Sequence, residues 1–409
     1  MTSPRYLTAG EAAKELRISP ATLYAYVSRG LIRSEARGGS KRERRYRAED
    51  VQKLKERQEQ RRDPSKAAEH ALHWGAPVMD SAITLIADGR IYYRGRDALE
   101  LAAQCTAEQV AALIWTGSLD EAAALFGSAP GAFSPRFQAV RQGLAGLPAV
   151  EAFQTLLPLA AAEDPAAYDL RPASVARAGA RIMKLMTAVA AGTEPKEASI
   201  AQSLQRSWTP RNERATKLID AALILCADHE LNVSAFTARC VASAGSTPYA
   251  VVSAGLAALQ GLKHGRHTER VEALMQEAGK PARARAVVTS RLKRGEAIPG
   301  FGHPLYPDGD PRGRALLQWT AEAFSRSPAV ALAHALAAAT GELIGEYPTV
   351  DFGLATLARA MNLPSGGALA IFALGRTIGW IGHALEQYQL NRMIRPRARY
   401  VGLQPGGEV

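Results

Sequence analysis

The chain has 409 residues and a net charge of +11, long enough for two or three domains with a sizeable core. Its three cysteines, Cys105, Cys226 and Cys240, show no CxxC or metal-ligand spacing, which excludes a metal site of that kind and fits a reduced, cytoplasmic protein. The N-terminus is polar and no signal peptide, and no apolar run reaches the roughly 18 residues of a membrane helix, so no membrane partner is expected.

Charge is unevenly spread. Residues 1–66 hold 17 Lys and Arg against 9 Asp and Glu, a net of +8, and the other 343 residues carry only +3. One module rather than the whole chain is therefore suited to a polyanion. Thr8-Ala9-Gly10-Glu11 reads as a capping box opening a helix with Ala12, Ala13 and Leu16 on its apolar face. Ser19-Pro20 supplies an N-cap and a first-turn proline for a second helix ending at Arg29-Gly30. Two short helices joined by a three- to four-residue turn form a helix-turn-helix. Residues 32–47 then carry Gly38-Gly39 as a hairpin turn between basic flanks, a β-wing, and Glu49-Asp50 starts a further helix through Leu54. Residues 58–66 read as a polar helix end or linker, with the domain boundary at Pro64.

This module resembles the winged helix-turn-helix of the MerR and excisionase-like families. The resemblance implies binding of double-stranded DNA through Thr22, Tyr24, Tyr26 and Arg29 on the second helix. Arg42, Arg44 and Arg45 of the wing would grip phosphate. A module that only adds protein contacts is the blander reading.

Beyond the linker, Ile83-Thr84-Leu85-Ile86 and Ile91-Tyr92-Tyr93 flank Asp88-Gly89, a strong hairpin signal. Alanine-rich segments with apolar residues at three- and four-residue spacing follow Leu99, punctuated by Gly117, Gly127, Gly143 and Gly146, with a loop at 164–172. The fold class is mainly α. Trp74, Trp115, Trp208, Trp319 and Trp380 read as core or interface. An apolar helical run over 218–225 ends at Asp228-His229-Glu230. Residues 300–312 place three glycines and three prolines around His303 and Arg312, a composition that fixes a loop path and lets main chain approach a ligand. With His264 and Asp351, these groups could form a carbon–carbon bond between an acyl thioester and a polyanionic ketone. A carboxylate would take the weakly acidic proton, neutral histidines would stabilise the enol and polarise the ketone, and arginines would bind carboxylates.

The order of these blocks resembles the citrate synthase family over roughly residues 72–405. The blocks are Asp228-His229-Glu230-Leu231-Asn232, Lys263-His264-Gly265, residues 298–303, Asp310-Pro311-Arg312, residues 349–352, residues 375–380 and residues 394–397. The resemblance implies a two-domain helical fold, with 67–262 plus 355–409 as the large domain and 263–354 as the small one, after a head of 1–66. It implies Asp351 as the base, His264 as enol stabiliser and His303 as ketone polariser. His229, Arg312 and Arg376 would bind oxaloacetate, with Arg395 entering from the other subunit of a homodimer. Arg291, Lys293, Ile298 and Gly300 would bind coenzyme A. The thioester, acetyl-CoA or propionyl-CoA, is a substrate, and no bound cofactor is implied.

One stretch departs from the pattern. After the enol-stabilising histidine the family usually reads Gly-Gly-Ala-Asn-Glu, and here Arg266-His267-Thr268 replaces Gly-Ala-Asn. Pro304 also removes a main-chain N–H beside His303. Two functions follow from different classes: a citrate or 2-methylcitrate synthase with a DNA-binding head, or a transcription regulator whose synthase-like body senses a metabolite and dimerises.

Overall fold

The computed structural model describes residues 6–16, 18–29, 31–37, 40–48, 50–51, 54, 79–127, 131–195, 197–398, 400–403 and 405. They divide into two compact units, 1–80 and 81–409.

In the first unit the helices Ala9–Leu16 and Pro20–Ser28 form where their caps predict. Thr8 N–H donates to the Glu11 carboxylate at 2.8 Å and Glu11 N–H to Thr8 Oγ1 at 3.3 Å, closing the capping box. Ser19 Oγ accepts from Thr22 N–H at 3.2 Å. The wing strands Ser34–Arg37 and Ser40–Arg47 pair antiparallel, and a third strand, Tyr6–Thr8, joins the other edge of Ser40–Arg47. Three residues carry no periodicity, so this strand was not legible beforehand. Leu16, Leu23, Ile32, Tyr46, Val51 and Leu54 close the core, the last two from the helix expected after the wing. Gly30, the Gly38-Gly39 turn, the side chain of Arg42, Glu49, residues 58–66 with Pro64, and Trp74 lie outside the described residues.

The second unit opens on the hairpin Thr84–Ala87 and Arg90–Tyr93, turned by Asp88 and Gly89 at φ +51° and +71°, the positive pair a two-residue primed turn needs. A short strand, Arg96–Asp97, adds to it. Residues 164–172 hold a 3-10 turn, Pro165–Tyr168, before Pro172 starts the helix Pro172–Ala191. The main core gathers around the helix Gly367–Leu390, which packs on Ala107–Thr116, Pro172–Ala191, Ala215–Leu225, Val233–Ser243 and Pro248–Leu259. By length and composition Gly367–Leu390 could cross a membrane, which corrects the expectation that no apolar stretch reaches that length; its apolar window is wholly buried in the protein. Arg376, His383 and Glu386 break the run in sequence, which is why it did not read as continuous.

A second apolar cluster, with Val271, Leu274, Met275, Val288, Leu336 and Phe352, forms among His267–Ala278, Ala284–Lys293 and Pro328–Ile344. The helices Pro311–Ala323 and Val350–Ala360 contribute to both clusters: Leu316 and Leu354 to the main core, Leu317 and Phe352 to the second. Arg312 and Asp351 sit in the first turns of those two helices.

Candidate active site

The loop 298–310 is held by main-chain bonds as well as by the packing of Ile298 and Phe301 in the second apolar cluster. Gly302 N–H donates to Tyr347 O at 3.0 Å and Thr349 N–H to Gly300 O at 2.8 Å. Gly300 has φ +86°, and a Cβ there would meet Val271 Cγ2 at 2.7 Å, so only glycine fits both the backbone and the space. Asp310 fixes three things at once. Its Oδ1 accepts the Arg312 N–H at 3.0 Å as an N-cap, and its Oδ2 accepts the Val350 N–H at 3.0 Å. The carboxylate also takes the Arg312 guanidinium in two bonds of 3.0 and 2.9 Å. Burial alone would raise this carboxyl, but the Arg312 guanidinium holds it below the usual carboxylate range. His303, Arg312 and Asp351 therefore share one hydrogen-bonded frame.

His229 enters from the turn after Ala215–Leu225. Asp228 anchors that turn, fully buried, accepting from Thr84 Oγ1 at 2.6 Å and lying 3.2 Å from His383 Nε2. The helix Gly367–Leu390 comes close because Gly375 and Gly379 present no side chain: a Cβ at either would lie 2.4 Å from the carbonyl oxygen of Leu223 or Ala227. Arg376, between them, is 1% exposed and donates to Cys226 O at 2.7 Å.

The histidines meet through their rings. His229 Nε2 lies 3.0 Å from the Tyr306 hydroxyl, and its ring centroid is 5.2 Å from that of His303. Burial, then Arg312 and Arg376, push the His229 pKa well below its ordinary value. Burial and Arg312 bring His303 down to about 4. Leu305 N–H donates to His303 Nδ1 at 3.2 Å, so the neutral ring carries its proton on Nε2. His264 lies on the other wall, edge-on to Phe372 at 5.9 Å. Burial and Arg376 bring it down to about 3. Its Nε2 is 2.8 Å from Ser234 Oγ, which also accepts from Trp380 Nε1–H at 3.2 Å.

Asp351 moves the other way. Burial raises its carboxyl to about 7, with Arg312 opposing and Asp310 adding. Among the described residues its Oδ1 is buried without a hydrogen-bond partner. The arrangement joins three neutral imidazoles, a carboxyl poised between its two forms at neutral pH, and two buried guanidiniums. It can remove a weakly acidic proton, stabilise an oxyanion and hold a dianion.

The expected residues divide accordingly. His229, His264, His303, Arg312, Arg376 and Asp351 come together. Arg395 stands exposed on the C-terminal segment and makes no hydrogen bond or ion pair with them. Arg291 pairs with Glu277 at 2.5 Å, Lys293 is exposed, and Ile298 and Gly300 are buried. Tyr306, Ser234 and Asp310 belong to the site but were not singled out; Tyr306 and Asp310 stand in the Gly- and Pro-rich loop itself, the one signal that could have found them. Arg266 pairs with Glu151 at 2.8 Å, Thr268 Oγ1 donates to Gly265 O at 3.0 Å, and His267 Nε2 accepts from Gly300 N–H at 2.9 Å. All three departures face inward to protein groups.

In the head, Tyr24 is 55% exposed and Arg29 is exposed, whereas Tyr26 packs against the core and Thr22 Oγ1 lies 2.9 Å from Ser19 Oγ. Arg44 is exposed and donates to Ser34 Oγ at 3.2 Å. Arg45 stacks over Tyr6 at 4.3 Å and pairs with Glu35 at 3.4 Å.

Comparison with known proteins agrees with both halves. Residues 71–397 match the family described as citrate synthase, C-terminal domain, and residues 6–59 match a helix-turn-helix domain. The chain is 37% identical over 193 residues to 2-methylcitrate synthase of Shewanella oneidensis, covering 46% of this chain and 52% of that one, about half its length. It is 28% identical over 354 residues to citrate synthase 2 of Bacillus subtilis, covering 80% and 94% of the two chains. The solved citrate synthase of Pyrobaculum aerophilum superposes with a TM-score of 0.71 at 27% identity, covering 81% of this chain and 92% of that one. The match over 71–397, with the same fold beneath it, makes this chain a member of the citrate synthase family, a family of enzymes, carrying an N-terminal helix-turn-helix domain.

Proposed function

We propose that the body condenses an acyl-CoA with oxaloacetate, giving citrate from acetyl-CoA or 2-methylcitrate from propionyl-CoA, and releases coenzyme A. The observation that carries this reading is Asp351: a buried carboxyl raised to about 7, with a free Oδ1, in one frame with a neutral His303 that carries its proton on Nε2. Asp351 takes a proton from the carbon next to the thioester carbonyl. His264 donates a hydrogen bond to the enol oxygen from Nδ1, its Nε2 receiving the Ser234 hydroxyl proton. The enol carbon attacks the oxaloacetate ketone carbon while His303 Nε2–H protonates the ketone oxygen. Water then hydrolyses the thioester. His229, Arg312 and Arg376 bind the oxaloacetate carboxylates. Arg395 completes the site from the second subunit of a homodimer, and Arg291, Lys293, Ile298 and Gly300 contact coenzyme A. The thioester is a substrate, and the chemistry calls for no bound cofactor.

Residues 67–262 with 355–409 form the large domain and 263–354 the small one, closing over the enol to exclude water. Two separate apolar clusters support that division. Acetyl and propionyl differ by one methylene, worth only ~1–3 kcal/mol in an apolar pocket, and the relatives bear both names. For the head, binding of double-stranded DNA in the MerR-like manner is supported by its net charge, its helix-turn-helix match and the exposure of Tyr24, Arg29 and Arg44. Three cysteines without a disulfide suit a cytoplasmic setting.

Thiol release from acetyl-CoA or propionyl-CoA in the presence of oxaloacetate tests the reading. Turnover on the order of 1–1000 per second is expected. Absence of thiol release, with oxaloacetate still raising the Tm, would replace it with a metabolite-sensing body.

A further inference from the structure

The departure at residues 266–268 places a titratable ring between two parts of the site. His267 opens the helix His267–Ala278, directly after the turn that carries His264. Its Nε2 accepts the Gly300 N–H at 2.9 Å. Gly300 O accepts the Thr349 N–H at 2.8 Å, two residues before Asp351. Gly300 itself stands three residues before His303, at φ +86° with no room for a side chain. The two polar groups of this one glycine thus tie together the segments bearing His264, His303 and Asp351.

We propose that His267 is a positioning residue for the condensation, its ring holding the loop 298–303 to the His264 turn through the Gly300 N–H. A small residue, as the family pattern usually has here, could not make this bond. An imidazole that accepts at Nε2 carries its proton on Nδ1, the tautomer opposite to that of His303. The ring is partly buried, and burial first, then Arg270, lowers its pKa, which keeps it neutral and able to accept. The neighbouring side chains are already committed, Arg266 to Glu151 and Thr268 to Gly265 O. The imidazole makes a side-chain hydrogen bond between the 264–268 turn and the loop 298–303. Loss of that bond would let Gly300 and His303 drift from the geometry set by Thr349 and Asp351. Small misplacements at a reacting centre cost rate without abolishing binding.

The inference rests on the proposed condensation, so its test has readouts that do not need turnover. In the full chain with 15N-labelled histidine, long-range 1H–15N spectra should show His267 as the Nδ1–H tautomer. Hydrogen exchange across 298–303 should accelerate roughly 3- to 10-fold at Gly300 in His267→Phe, which keeps bulk without an acceptor; that is the scale of one hydrogen bond. kcat should fall by about the same factor while the KM for oxaloacetate stays within about 2-fold, as for an interaction made mainly on the way to the transition state. His267→Gln, which offers an acceptor oxygen, should restore most of both. An Nε2–H tautomer in the unmodified chain would overturn the inference, even if His267→Phe failed to fold. So would unchanged exchange at Gly300, or equal losses in the Phe and Gln variants. If the unmodified chain shows no turnover, the condensation reading fails, while tautomer and exchange still decide the role of His267.

Discussion

The body and the head use arginine in opposite ways. In the body Arg312, Arg376 and Arg239 are 2%, 1% and 0% exposed. Their guanidiniums meet Asp310, the Cys226 carbonyl, and Glu386 with Gln387. In the head the side chains of Arg33 and Arg45 are 57% and 46% exposed beside Asp50 and Glu35. A buried guanidinium is tolerable only when its partners are fixed, so it presents donors at set positions to a ligand of set shape. An exposed guanidinium can follow a phosphate backbone, and its contribution depends on charge and salt more than on geometry. Under the proposed function the body would read a small dianion by position, and the head would read a polyanion by field.

The sharpest break of that comparison would come at Asp351. Asp351→Asn should lower turnover by about 10²–10⁴-fold, the span of general acid–base catalysis, with the fold and oxaloacetate binding kept. Near-normal thiol release would mean that another group acts as base. Asp310→Ala should be the most damaging change to stability. It removes the partner of a buried cation, leaving the cation uncompensated, at a cost of about 3–5 kcal/mol. Denaturant unfolding would measure it, and a loss below about 1 kcal/mol would show that Arg312 is less dependent on Asp310 than its burial says.

How far the sequence foretold this differs between the two regions for the same physical reason. Caps, turns and hairpins are local, so Thr8-x-x-Glu11, Ser19-Pro20 and Asp88-Gly89 were legible and stand where expected. The six candidate residues that come together could be picked out because their blocks resemble a family in order and interval, not because local chemistry singles out His264 or Arg376. What stayed hidden is non-local. Ser234 meets His264 across 30 positions and His267 meets Gly300 across 33, separations that no spacing rule covers. Arg291, which the resemblance implies for coenzyme A, also pairs with Glu277, fourteen positions away. The strand Tyr6–Thr8 gains its identity only from Ser40–Arg47.

Protonation separates the regions further. As the proposed base Asp351 would have to be ionised, so kcat/KM should rise with pH through about 7 and fall on acidification below it. His229, His264 and His303, each shifted downward, stay neutral across that limb. An acid limb centred near the ordinary carboxylate value, about 4, would contradict the assignment. Stability should run the other way in the body. Asp220, raised to about 7 chiefly by burial, holds a proton in the folded chain between about pH 4 and 7 that the unfolded chain has released. Its contribution is therefore fully present below the unfolded pKa and fades as pH rises through 7. Asp220→Asn should flatten that slope; an unaltered Tm–pH curve would show that the carboxyl is ionised when folded.

The smallest effects are expected in the head. Arg44→Ala should weaken DNA binding by a few fold and reduce the salt slope of affinity by about 1, leaving thiol release untouched. Arg45→Ala should do less, because Tyr6 and Glu35 already hold that side chain. Mobility shifts across a salt series distinguish the two, and equal losses would show that the Glu35 pair opens on DNA.

Asp50→Asn is the closest counterpart of the Asp310 change, and it should have the least consequence. Both carboxylates take an arginine in two bonds and also accept a main-chain N–H, Asp50 from Arg33 at 2.9 Å. The Arg33 hydrogen bonds outweigh partial burial and hold the Asp50 pKa at about 2. This support is present above the unfolded value near 4 and is lost only as pH falls toward 2. With Arg33 mostly in water, the guanidinium left behind is rehydrated rather than stranded. Exposed pairs are worth about 0.2–1 kcal/mol, and the Asn side chain can still accept the Arg33 N–H. Hydrogen exchange over residues 6–54 of the full chain should therefore change by less than about 5-fold. A loss as large as that of Asp310→Ala would mean that this pair is a structural cornerstone of the wing, and that exposure alone does not separate the arginines of the head from those of the body.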